Sequence, residues 1–158
     1  MFVIQEKSTE INVRKYWPSV VASGAMLLAT DELSKERTLG SYMLSACDHP
    51  KYHLVQFAHL HIKSVLLLNT ATTYDAYAAQ LLKQHIFDTW VQDNVTALRE
   101  MMYDEGFADK CNNLTQSQRK KLIVKWGDDT AVYILTIDAL RGSFVIKSIL
   151  QVNSLIIS

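Results

Sequence analysis

From Lys51 to Glu105 the chain runs for fifty-five residues without a glycine or a proline, and its 158 residues hold only five glycines and two prolines. Glycine supplies positive φ, and proline fixes φ and removes a backbone donor, so these two residues punctuate turns and sheets. A chain that nearly dispenses with them is expected to be helical. Hydrophobic residues make up 49% and charged residues 20%, which excludes a disordered or fibrous chain and allows one ordinary core. The expected fold is a compact single-domain helical bundle spanning residues 1–158, of about five to seven helices.

Periodicity places the helices. Phe2-Val3-Ile4 reads as a short strand or arm, and a helix is expected from Pro18 to about Ala29, since proline is tolerated in a first turn. Thr30 or Asp31 would cap a second helix carrying Leu33, Gly40, Met43, Leu44 and Cys47 on one stripe, stopped by Asp48 and Pro50. From Pro50, Leu54, Phe57, His61, Val65 and Leu68 step by three and four. With Leu60 and Leu67 behind them, residues 51–68 read as the central helix of the bundle. Between Thr73 and Asp104 the apolar stripe turns by roughly 140° when each residue is counted as 100°. That shift predicts a kink or break near Asp88, with Asp88 as a cap. Asp109 to Asn113 reads as a loop. Thr115-Gln-Ser-Gln118 has the form of a capping box, which starts a helix expected to end at Gly127. Residues 130–152 suit either a further helix or a short C-terminal β-hairpin across Gly142, and helix is favoured.

Composition limits the function classes. Sixteen basic residues balance sixteen acidic ones, so the chain lacks the electrostatic footprint of a protein that grips phosphate backbones. No apolar run reaches the roughly 18 residues of a membrane span. The N-terminus lacks the basic and apolar regions of a secretory signal, and Cys47 and Cys111 show no paired motif. Two free thiols in the cytoplasm are therefore expected.

Three constellations bear on chemistry. Cys47, His49 and His53 offer metal-ligand types within one short stretch, but helical geometry converges them poorly and no HExxH accompanies them. They support a metal-dependent enzyme only as an alternative, and no cofactor is expected. Arg119, Lys120, Lys121 and Lys125, with Lys147 further on, form the basic group of a second alternative. This is a DNA-binding transcriptional regulator whose C-terminal half would be a helix, a turn at Gly127 and a helix. Against it, Phe144 to Val152 offers few side chains that read bases. The third is the apolar C-terminus, where Phe144, Leu150, Leu155 and Ile156 are candidate partner contacts. The leading reading is a non-catalytic cytosolic protein–protein interaction module, an adaptor, inhibitor or small regulatory subunit. It would bind a protein partner or form an oligomer through a helical surface.

Overall fold

A computed structural model describes the backbone of residues 2–48 and 50–157 and the side chains of residues 14–48, 50–151, 153 and 154. The described residues form six α-helices and no strand: α1 (Phe2–Ala46), α2 (Lys51–Tyr74), α3 (Ala76–His85), α4 (Trp90–Tyr103), α5 (Phe107–Asn112) and α6 (Gln116–Ile157). Helix α1 packs against α2 and α6, and α3 and α4 close the fourth side against α2 and α6. Cross-helix contacts set the directions. Lys63 reaches Glu32, Tyr103 stacks on His61, Tyr77 stacks on Phe144, and Trp126 bonds to Arg37. Each pair joins antiparallel neighbours, so the four rods run up, down, up and down.

The two long helices replace several shorter expected ones. On α1, Ala22, Met26, Ala29, Leu33, Glu36, Gly40, Met43 and Cys47 are all buried. They step alternately by four and three, the seven-residue repeat of a helix that keeps one seam on its neighbours. That unbroken seam holds the helix through the positions where a boundary was expected. Phe2 to Ile4 is the start of α1 and not a strand, and Pro18 lies inside it. Thr30 is not a cap: its hydroxyl donates to the Leu27 carbonyl at 2.7 Å. Helix α6 behaves alike. The expected reciprocal capping box is present, with the Thr115 amide donating to Gln118 Oε1 at 2.9 Å and the Gln118 amide to Thr115 Oγ1 at 3.1 Å. Beyond it Trp126, Thr130, Tyr133, Ile137, Leu140 and Phe144 form one buried seam that carries the helix straight through Gly127. Neither the turn at Gly127 nor the C-terminal hairpin exists among the described residues.

The remaining breaks have local causes. Asp75 accepts from the amides of Tyr77 and Ala78 at 2.9 and 3.0 Å and from Ser19 Oγ at 2.9 Å, so one carboxylate caps α3 and ties the corner to α1. The expected break near Asp88 lies between α3 and α4, although Asp88 is not a side-chain cap. It adopts φ 57°, a left-handed conformation that aspartate tolerates, and its amide donates to Gln92 Oε1. Residues 109–112, expected in a loop, belong to α5, because Phe107 and Cys111 lie one turn apart and both are buried. Helix α2 is not central. Phe57, Leu60, Ser64, Leu68 and Ala71 face inward, while Val65 on the expected inner stripe faces solvent.

The two cysteines are not free thiols. Cys47 and Cys111 form a disulfide with a Cα–Cα distance of 5.3 Å, joining the end of α1 to α5. The expectation failed because sequence spacing cannot show that α5 folds back under α1. Asn112 Nδ2 donates to the Cys47 carbonyl beside the bond.

Gly40 has a specific reason. A Cβ there would lie 2.5 Å from the Trp126 indole, whose Nε1 donates to the Arg37 carbonyl at 2.9 Å. Arg37 Nε returns a bond to the Gly127 carbonyl at 3.0 Å. Replacing Gly40 with alanine should gain about 1 kcal/mol of helix propensity. Overpacking of about 1–3 kcal/mol outweighs it, because a fully buried indole cannot swing away. Net destabilisation in urea melts is expected, with loss of the buried tryptophan fluorescence signature as a second readout.

Candidate interaction surface

Two features outside the ordinary apolar core deserve a chemical reading. The first is enclosed. Glu36 on α1 receives Arg99 of α4 in a two-pronged ion pair, Nε to Oε1 at 2.5 Å and NH2 to Oε2 at 3.0 Å, with both residues at least 96% buried. The guanidinium also lies 5.9 Å from the centroid of the buried Tyr133 ring. Beside it, Tyr103 Oη lies 3.4 Å from His61 Nδ1. Burial pushes the Glu36 carboxyl up while the Arg99 hydrogen bonds and charge pull it down. Burial, reinforced by the Glu36 charge, raises Tyr103 to about 12. His61 falls to about 4, first through burial and then through the Arg99 charge. At neutral pH the cluster thus offers a neutral imidazole and two protonated phenols around a satisfied ion pair that solvent does not reach. The ion pair at its centre braces α1 against α4.

The lowered His61 value sets a pH dependence. The unfolded chain takes up a proton near the usual histidine value of about 6.5, whereas the folded chain resists until about 4. Stability contributed by neutral His61 is therefore complete above pH 6.5 and lost as pH falls toward 4. Because the ring is only half-buried, the loss is discounted to about 1–2 kcal/mol. An NMR titration should place the His61 midpoint near 4, and the acid slope of stability should disappear in His61→Gln.

The second feature is open. The outer seam between α1 and α6 holds two cavities. One is about 510 Å³ and lined by Tyr16, Val20, Gly24, Val145, Ile149 and their neighbours. The other is about 460 Å³ and lined by Leu27, Leu28, Asp31, Ile134, Leu135 and Asp138, among others. Val20 is 58% exposed, Leu28 56%, Leu135 65% and Ile149 53%. Two helix-interior glycines also lie along this seam. With Gly40 set against Trp126, sixteen residues back along α1 and sixteen on along α6 bring Gly24 level with Gly142. A Cβ on either would meet nothing within 4 Å. A helix-interior glycine costs about 1 kcal/mol relative to alanine, and no contact among the described residues requires these two.

The sequence-derived site residues scatter. Phe144, expected as an exposed contact, is 2% exposed and stacks with Tyr77 at 6.3 Å between ring centroids, so its main role is in the core. Leu150 is 62% exposed, whereas the side chains of Leu155 and Ile156 lie outside the described residues. The Cys47 sulfur is committed to the disulfide and is not a thiolate ligand, His49 lies outside the described residues, and the His53 ring packs against Tyr42 and Tyr52. No group of three or more potential ligands gathers among the described residues. Arg119 is half-buried, Lys120 and Lys121 are exposed at the start of α6, and Lys125 pairs with Asp129 at 2.6 Å. Lys147 sits over the Tyr77 ring, about 33 Å from Lys125 along one continuous helix. The helix-turn-helix geometry expected for DNA binding is absent from α6. Sequence reasoning missed the seam because its exposed apolar residues alternate with core positions, so both faces look alike along the chain.

No helix among the described residues is long and apolar enough to cross a membrane. Comparison with family models, curated proteins and solved structures gave no match to this chain. The architecture is that of an all-α, up-and-down bundle with a broken third rod.

Proposed function

We propose that this chain is a non-catalytic protein–protein interaction module, of the adaptor, inhibitor or small regulatory subunit kind, acting through the outer face of α1 and α6. The observation that carries the reading is the α1–α6 seam, where exposed leucine, isoleucine and valine side chains border two open cavities. A groove between two helices is the usual receptor for an amphipathic helix, whose anchors at three- and four-residue spacing fill successive depressions. The enclosed Glu36–Arg99 cluster supports the same reading, since its polar groups are spent on the bundle itself.

The cytoplasmic expectation came from the N-terminal sequence, and the paired Cys47–Cys111 stands against it. An oxidising environment is favoured, where such a bond persists. The test is a pair of charge substitutions on the seam. Leu135→Asp with Ile149→Asp should abolish association with the partner while far-ultraviolet circular dichroism stays unchanged. The same substitutions at Val55 and Leu66, exposed on α2, should leave association intact. Equal losses from both faces would refute the assignment to the seam.

A further inference from the structure

We infer that the occupant of the α1–α6 seam is a second copy of this chain, packed seam to seam about a two-fold axis at the level of Gly24 and Gly142. The inference rests on reading the seam as an interaction surface and adds the identity of the partner. A two-fold interface must be self-complementary: whatever lies a given distance before the axis must suit what lies the same distance after it. Two pairs of exposed aliphatic residues meet that condition. Val20 lies four residues before Gly24 and Leu28 four after, and Leu135 lies seven before Gly142 and Ile149 seven after. An antiparallel second copy therefore sets exposed aliphatic side chains against exposed aliphatic side chains on both helices.

The same axis brings one polar pair together and explains the glycines. Trp17 lies seven residues before Gly24 and Asp31 seven after. The exposed indole of one copy, a hydrogen-bond donor, is thus brought beside a carboxylate of the other. Residues nearest a crossing point set how closely two helix pairs approach. Gly24 and Gly142 stand level there with empty space where side chains would be, so the two backbones can come together.

The area clears the lower bound for a specific interface. Tyr16 to Ser34 spans about 27 Å of α1, and two helices side by side are about 20 Å wide, so the footprint is about 540 Å² on each copy and about 1,080 Å² in total, against the roughly 1,000 Å² that a specific interface needs.

Sedimentation velocity on the full chain, with the disulfide intact, tests this. Wild type should sediment at twice 18.0 kDa, and Gly24→Leu and Gly142→Leu should each raise the dimer dissociation constant at least about tenfold. Neither variant should lose helicity, and at a concentration where wild type is also monomeric neither should lose denaturation midpoint, because both side chains point into open space in the single chain. Wild type that remains monomeric at about 100 µM, or a dimer that both leucine variants leave intact, would overturn the proposal. A monomeric wild type whose Leu135→Asp and Ile149→Asp forms still lose a different partner would overturn the dimer and leave the interaction reading standing. Loss of neither would remove both.

Discussion

Replacing Arg99 with methionine alone should destabilise the protein by about 3–5 kcal/mol, while replacing Glu36 with leucine and Arg99 with methionine together should restore most of that loss. The asymmetry follows from burial. Glu36 and Arg99 are 1% and 4% exposed, and the ion pair satisfies charges that were costly to take out of water. Removing one partner leaves an uncompensated charge in the core, whereas removing both leaves apolar groups of similar size among Leu33, Met102 and Tyr133. The sign with pH distinguishes this from simple loss of packing. Without Arg99, nothing opposes the burial that pushes the Glu36 carboxyl up, so the folded variant binds a proton more readily than its unfolded chain. Its deficit should shrink as pH falls below the raised Glu36 value and grow as pH rises through it. Urea melts across pH 4 to 8 would check both statements, and a deficit that ignores pH would show that Glu36 is already neutral when paired.

Removing the Cys47–Cys111 bond is the second large perturbation. The cysteines are 64 residues apart, and closing a loop of that length in the unfolded chain is worth about 4 kcal/mol in the chain-entropy description, with typical measured values of about 2–4. The bond ties the end of α1 to α5, so α2, α3 and α4 lie within the closed loop. Cys47→Ser combined with Cys111→Ser should still fold, since the heptad seams of α1 and α6 do not depend on the bond, but with a midpoint lowered by about 2–4 kcal/mol of stability. The matching observation is equal destabilisation of the wild type by reductant. Stability indifferent to reductant would show that the bond constrains nothing.

Much of the helical architecture was legible because it depends on local chemistry. The Thr115–Gln118 capping box and the change of stripe near Asp88 both rest on residues within one or two turns, and both appear where expected. The lengths of α1 and α6 were not legible. Thr30, Asp31 and Gly127 carry stop signals, and only the seven-residue seams running past them, buried against partners far away in sequence, override those signals. The disulfide was hidden for a related reason, since α5 brings Cys111 to Cys47 only after the whole bundle has formed. Glu36 and Arg99 did leave a trace: each is a charged residue of opposite sign on an apolar stripe. The α1–α6 seam left less, because an exposed Leu135 and a buried Ile137 look the same without the bundle around them.

Photo-crosslinking measures most directly whether the protein works through that seam. A benzophenone side chain at Leu135, in the full chain expressed in its native host, should trap a protein at high yield, another copy or a different chain. The same group at His85 or Glu100, exposed on α3 and α4, should trap little. No product at Leu135, or equal yields at all three positions, would contradict the interaction reading.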